Sequence, residues 1–448
     1  MYCVNFGKAG RKTRSWCAID QSVEGPSEAV ANVGGSDTLT YVCGGRIHRH
    51  RSTKRMNFAA QRPLIPIVLL CALLANGAGA QEATAPLVET PAQQAMIVEG
   101  ESGAVLFEKA GEALFPPASL AKLMTMEIVF EALGRGEISL STTFPVSEHA
   151  WRTGGAPSRT STMFAAVRSQ IPVEALIQGV IVQAANDAAI ILAEGMEGSE
   201  EAFAARMNER ANELGLRDSR FVNPTGLPAE GQVVSVRDLT RLARHIEGTY
   251  PELYRTYSQA EFEWNGIRQR NRNPLLGLNV GATGMGTGFT EESGYSLVGV
   301  AESEGRKTFM ALGGLTSEQE RSREAQKLLT WARDSFDRIA LFDAGETVAT
   351  AAVFGGVGTS VPLIVEQELV AFAPKDRSQR VHANVVYDGP LRAPVEKGTR
   401  VGRIEIMIGD RISVTQDLVA AADVPVGTFS SRAIGAVQEL AFGWIRAL

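Results

Sequence analysis

Ser119 and Lys122 stand three residues apart in the stretch Phe115-Pro116-Pro117-Ala118-Ser119-Leu120-Ala121-Lys122. On a helix that spacing puts both side chains on one face. A hydroxyl with an amine beside it is a nucleophile carrying its own base. Two prolines fix φ as at a helix entrance, and Leu123, Met124, Ile128, Val129 and Leu133 cover more than one stripe. The pattern predicts a buried central helix ending at Gly134-Arg135-Gly136. Alone, the pair also suits a helix cap and a lysine that snorkels to water, so the rest of the chain has to decide.

Other chemistries find less support. All four cysteines, Cys3, Cys17, Cys43 and Cys71, lie before residue 81, which leaves no thiol nucleophile or thiolate metal site beyond it. His149, His245 and His382 are widely separated there and suit neither a Ser-His-Asp arrangement nor a histidine metal site. Gly284-Met285-Gly286-Thr287-Gly288 lacks the lysine of a phosphate-binding loop. Residues 1–80 hold ten Lys/Arg and four Asp/Glu, so the formal charge of −6 falls to −12 for the remainder, a poor match to nucleic acid.

The elements that must position Ser119 follow from periodicity. Ala95-Met96-Ile97-Val98 and Ala104-Val105-Leu106-Phe107 read as a hairpin leading into the Ser119 helix. The Gly/Ser/Thr-rich loop 151–160 suits either a rim over a cleft or an exposed connector. A helix over Val173 to Gln183 breaks at Ala184-Ala185-Asn186-Asp187, and another begins at Ala188. Helical patterns continue through Glu200 to Leu214 and Val236 to Ile246, with the turn 223–228 between them. The period then shortens. Phe262 to Trp264, Gly277 to Val280, Tyr295 to Val300 and Thr308 to Leu312 read as strands joined by Gly-rich or charged turns, and a helix from about Ser317 to Phe336 closes the unit. The fold class is α+β, an antiparallel sheet with a helical cluster, over 81–338. Residues 339–428 are β-rich and predict a small β-sandwich.

Both ends carry an address. Met56 to Ala80 has a basic lead at Arg62, an apolar core Leu64 to Ala75 and small residues Ala78-Gly79-Ala80. This reads as a secretory signal peptide at 56–80, with 1–55 an extension of the gene model or else a genuine extra arm carrying Arg46-Ile47-His48-Arg49-His50-Arg51. At 429–448, Ala433, Ile434, Val437, Leu440, Ala441, Trp444, Ile445 and Leu448 recur at helical spacing. An amphipathic helix is predicted, suited to a membrane interface or to packing on the protein's own surface.

Taken in order, Ser119-x-x-Lys122, Ala184-Ala185-Asn186, the run Asn265 to Asn273 and Gly286-Thr287-Gly288 resemble the low-molecular-mass penicillin-binding proteins, the D-alanyl-D-alanine carboxypeptidases. The resemblance spans roughly 95 to 448. It implies a penicillin-binding, β-lactamase-like transpeptidase fold, and acyl transfer with Ser119 as nucleophile and Lys122 as base. Burial lowers a lysine's pKa, as the base role requires. Asn186 would complete the catalytic set, and Gly286, Thr287 and Gly288 would hold substrate. The oxyanion hole would use the N–H of Ser119 and one just after Gly288.

The implied partners are peptidoglycan stem peptides, β-lactams as inhibitors and the outer face of the inner membrane, reached through the terminal helix in the periplasm. The resemblance implies no cofactor and no metal.

Two positions depart from the family pattern of S-x-N and K-T-G. Ala184 replaces the serine, and Gly286 replaces the lysine. The first loss removes a proton relay to the departing amine, and the second a cation for the substrate carboxylate. Arg159 or Arg268 are the nearby sequence candidates for that charge. A catalytically impaired peptidoglycan or penicillin binder is therefore the alternative, and a β-lactamase or esterase a more distant one.

Overall fold

Alternating side chains in the central strands divide between two cores, and that division sets the architecture. In β1 (Gln94–Glu99), Met96 and Val98 join the core of the helical cluster, while Ala95 and Ile97 join a second core on the other face. The computed structural model describes residues 30–34, 38–42, 88–377, 379–429 and 433. The predicted signal peptide and nearly all of the terminal helix lie outside these residues.

Besides β1 the main sheet contains β2 (Val105–Lys109), β3 (Ala282–Thr290), β4 (Gly294–Ser303) and β5 (Arg306–Leu315). Its order is β2-β1-β5-β4-β3, with every pairing antiparallel. One face packs against a cluster built from α1 (Lys122–Arg135), α2 (Val173–Gln183), α3 (Asn186–Glu197), α4 (Glu200–Glu213) and α5 (Val236–Thr249). The other face is covered by α6 (Glu318–Asp334), through Ala325, Leu328, Leu329 and Ala332.

Local signals explain where these helices start and stop. Ser199, Ser235 and Ser317 each accept a hydrogen bond from the backbone N–H three residues on, capping α4, α5 and α6. α1 ends at Gly136, whose φ of 71° suits glycine. Its residues from Lys122 to Ala132 are all buried, as its all-round apolar pattern requires.

One expectation needs correction. The run Gly277 to Val280 is not a strand: Pro274–Gly277 forms a 3-10 turn capped by the Asn273 side chain. The Gly-rich stretch that follows is β3, a nine-residue edge strand. Glycines at 284, 286 and 288 hide the period-two pattern that would have announced it.

After α6 the chain forms a β-rich unit. Phe336–Phe342 pairs with Leu369–Pro374, and the strands Val381–Tyr387, Arg400–Ile408, Arg411–Ala420, Ser360–Ile364 and Thr347–Phe354 follow one another in a larger sheet. The hairpin of Val30–Gly34 and Thr38–Val42 adds to this sheet beside Val381–Tyr387. Arg411 and Ser413 donate to the carbonyls of Leu106 and Val105 on β2, tying the unit to the main sheet.

Candidate active site

Ser119 sits on a 3-10 turn, Ala118–Ala121, that runs directly into α1. Ala118, just before it, has φ of 49°, a left-handed conformation that costs a residue with a Cβ on the order of 1 kcal/mol or more. The neighbours hold it there. A Cβ on Gly226 would stand 1.7 Å from the Ala118 carbonyl oxygen, and one on Gly288 would stand 2.9 Å from that of Pro117. Only glycine allows two backbones to close on the turn from both sides.

Lys122 begins α1 with 4% of its surface exposed. Its Nζ lies 3.1 Å from Ser119 Oγ and 2.5 Å from the carbonyl oxygen of Thr225. Burial lowers its pKa to about 7; the charge of Arg272 adds to the effect, and Asp187 opposes it. Near neutrality a large fraction of the amine is therefore unprotonated, with a lone pair available to the serine proton.

The Thr225 carbonyl belongs to the turn 223–228, which the sequence presents only as a separator. Asn223 Oδ1 accepts from the N–H groups of Thr225 and Gly226, and Thr125 Oγ1 donates to the carbonyl of Pro224. The turn is thereby pinned against α1. No residue-type signal announces it, because its contribution is a main-chain oxygen.

Asn186 starts α3, two residues earlier than expected. Ala184, in the left-handed conformation at φ of 54°, ends α2 and turns the chain so that Asn186 faces the rim loop. Asn186 Nδ2 donates to Thr160 Oγ1 at 2.9 Å, and its Oδ1 is buried without a hydrogen-bond partner. The loop 151–160 thus lies at the site rather than away from it. Asp187 secures the segment just after it: its carboxylate accepts from the N–H groups of Met163 and Ala165 and from Thr162 Oγ1, while burial raises its pKa against those bonds. Asp187 is a positioning residue that the sequence offered only as Asn186's neighbour.

Gly286, Thr287 and Gly288 lie on β3 opposite Val298, Leu297 and Ser296 of β4. β3 is the edge strand of the main sheet, and at Gly288 it comes up against Pro117 and Ala118 of the Ser119 turn. A Cβ on Gly286 would meet no atom within 4 Å, so the space of the absent side chain is open.

The cations differ from the two that the sequence suggested. Arg268 is exposed and pairs with Glu261 across the hairpin 261–270, and Arg159 is exposed on the rim loop. Arg272 instead reaches Lys122 through its field. Arg321, in the first turns of α6, is 5% exposed, directs Nη1 at the Gly288 carbonyl oxygen from 3.4 Å and leaves Nε buried without a partner. An arginine on an amphipathic helix ordinarily reads as surface, so residue type and spacing carry no mark of the burial of Arg321. Among the described residues no group of three or more His, Cys, Asp or Glu could hold a metal.

The sequence over 79–312 matches the family model described as D-alanyl-D-alanine carboxypeptidase, and 336–426 matches that of the penicillin-binding protein 5 C-terminal domain. D-alanyl-D-alanine carboxypeptidase DacA of Escherichia coli (strain K12) is 32% identical over 357 residues, covering 79% of this chain and 88% of the relative. Penicillin binding protein 5 from Haemophilus influenzae superposes with a TM-score of 0.65 at 32% identity, covering 75% of this chain and 98% of that one. For penicillin binding protein 6B from Escherichia coli the TM-score is 0.59 at 29% identity, over 75% and 98% of the two chains.

Proposed function

The chain belongs to the D-alanyl-D-alanine carboxypeptidase family, and we propose that it removes the terminal D-alanine of peptidoglycan stem peptides through an acyl-enzyme on Ser119. It is a serine-type hydrolase of the bacterial cell envelope by that membership. The observation that carries the assignment of roles is the 3.1 Å approach of a buried Lys122, its pKa near 7, to Ser119 Oγ.

The steps follow from these groups. Neutral Lys122 takes the Ser119 proton as Oγ attacks the carbonyl of the penultimate D-alanine. The N–H groups of Ser119 and Phe289 stabilise the oxyanion. Asn186 Oδ1, buried and unpartnered, accepts from the substrate amide, and Thr287 with Arg321 receives the terminal carboxylate. As the intermediate collapses the C–N bond breaks, and Lys122 returns its proton to the departing amine, directly or across a water where Ala184 lacks a hydroxyl. A water activated by the same lysine then hydrolyses the ester and frees Ser119. A β-lactam acylates the same oxygen, and its opened ring leaves no amine to diffuse away.

The acid limb of the rate follows Lys122. Below pH 7 the amine is protonated and acylation falls about tenfold per unit; above it the rate levels off. Arg272→Ala removes a cation that favours the neutral amine, so the limb is expected to move to higher pH. Stopped-flow acylation by a chromogenic cephalosporin across pH 5–9 would read it, and an unmoved limb would show that Arg272 does not tune the base.

Export by the segment 56–80 and docking of 429–448 on the outer face of the inner membrane complete the proposal. These rest on sequence pattern and on the family. No helix among the described residues is long and apolar enough to cross a membrane.

Mass spectrometry after incubation with benzylpenicillin tests the nucleophile. One adduct on the peptide carrying Ser119 is expected; an adduct elsewhere, or none, would overturn the assignment.

A further inference from the structure

Phe289 follows Gly288 on the edge strand and keeps 50% of its surface exposed. Its ring lies 4.3 Å from that of Tyr295, its cross-strand partner, at an interplanar angle of 32°. The Arg321 guanidinium carbon stands 5.5 Å from the centre of the Tyr295 ring. Its nearest carboxylate in an ion pair, Glu318, is 3.9 Å away, which leaves the cation weakly neutralised. The β3–β4 register puts Thr287 and Phe289 on one face with Leu297 and Tyr295, and Gly286 and Gly288 on the other, which faces the Ser119 turn. A donor, a buried cation with a free N–H and two stacked aromatic rings are thus gathered on one side of the strand.

A terminal residue whose carboxylate meets Thr287 and Arg321 lies on the side of β3 that carries Phe289. We propose that Phe289, backed by Tyr295, is a specificity-determining shelf that favours release of apolar D-residues larger than alanine. This rests on the carboxypeptidase reading and names the substrate class of the same site. A methyl group covers little of an exposed ring, whereas an isobutyl group covers much of it and removes apolar surface from water. In a closed pocket one methylene is worth about 10- to 200-fold in kcat/KM. On an open shelf the three extra carbons of leucine are expected to contribute about tenfold in all.

The test measures kcat/KM for two stem pentapeptides that differ only at the end, D-Ala-D-Ala and D-Ala-D-Leu, with the full protein, Phe289→Ala and Phe289→Leu. The ratio of the two substrates is taken within each protein, so any change in the oxyanion hole cancels. In Phe289→Ala the ratio of D-leucine to D-alanine release is expected to fall about tenfold, with Phe289→Leu in between. A ratio that Phe289→Ala leaves within about twofold would overturn the shelf while the carboxypeptidase reading stands. Release of neither amino acid by the unaltered protein would overturn that reading and the shelf with it.

Discussion

Lys122→Met is expected to slow acylation of Ser119, by penicillin and by stem peptide alike, about a thousandfold. Methionine matches the length and burial of the lysine but has no lone pair basic enough to take the serine proton. General-base catalysis contributes about 10²–10⁴-fold, so the loss lies in the middle of that range. Folding should survive, because two effects oppose each other. The Thr225 carbonyl loses its donor, which costs about 1–3 kcal/mol. Against this, a buried lysine whose pKa falls from 10.5 to about 7 destabilises the folded state. That penalty is full below pH 7 and shrinks as the pH rises toward 10.5, where the unfolded chain also gives up its proton. Methionine removes it altogether. A rate within tenfold of the unaltered protein, at equal unfolding temperature, would show that Lys122 is not the base.

Gly286→Lys is expected to raise kcat/KM on stem peptides by about ten- to a hundredfold. A Cβ at 286 meets no atom within 4 Å, so a lysine side chain has room there and is long enough to carry its ammonium to the strand edge beside Thr287. A charge-assisted hydrogen bond to the terminal carboxylate is worth about 1.5–3 kcal/mol, and the expected gain follows from that figure. A second cation near Lys122 would also hold the amine neutral to lower pH, so the acid limb should move down as the rate rises. Steady-state release of D-alanine across pH would measure both. No gain in rate would mean that Arg321 and Thr287 already satisfy the carboxylate and that the glycine carries no deficit.

These two variants bracket what was legible in advance. Ser119 and Lys122 could be read from spacing and from an apolar helix, since helical geometry is local and burial follows from the residues themselves. The helices α4 and α5 were legible for the same reason. Three parts of the site were not. The Thr225 carbonyl reaches Lys122 from 103 positions away through main chain, which leaves no mark on residue type. Arg321 resembles a surface arginine until α6 packs against the sheet and buries it. In β3 the Ser119 turn presses only on Gly288, while glycines at 284, 286 and 288 together weaken the alternating pattern by which a strand is read. Ala184 and Gly286 were visible as departures, and the structure shows what stands around them: a left-handed turn that delivers Asn186, and open space on the edge strand.

On the proposed mechanism Ser119 carries the acyl group of a D-Ala-D-Ala carboxypeptidase. The decisive measurement is release of D-alanine from a pentapeptide ending in D-Ala-D-Ala, compared between the protein and its Ser119→Ala variant. Turnover by the first and none by the second is expected. Equal release by both would place the chemistry on another residue, and no release by either would contradict the claim and leave a protein that binds peptidoglycan or penicillin without turning it over.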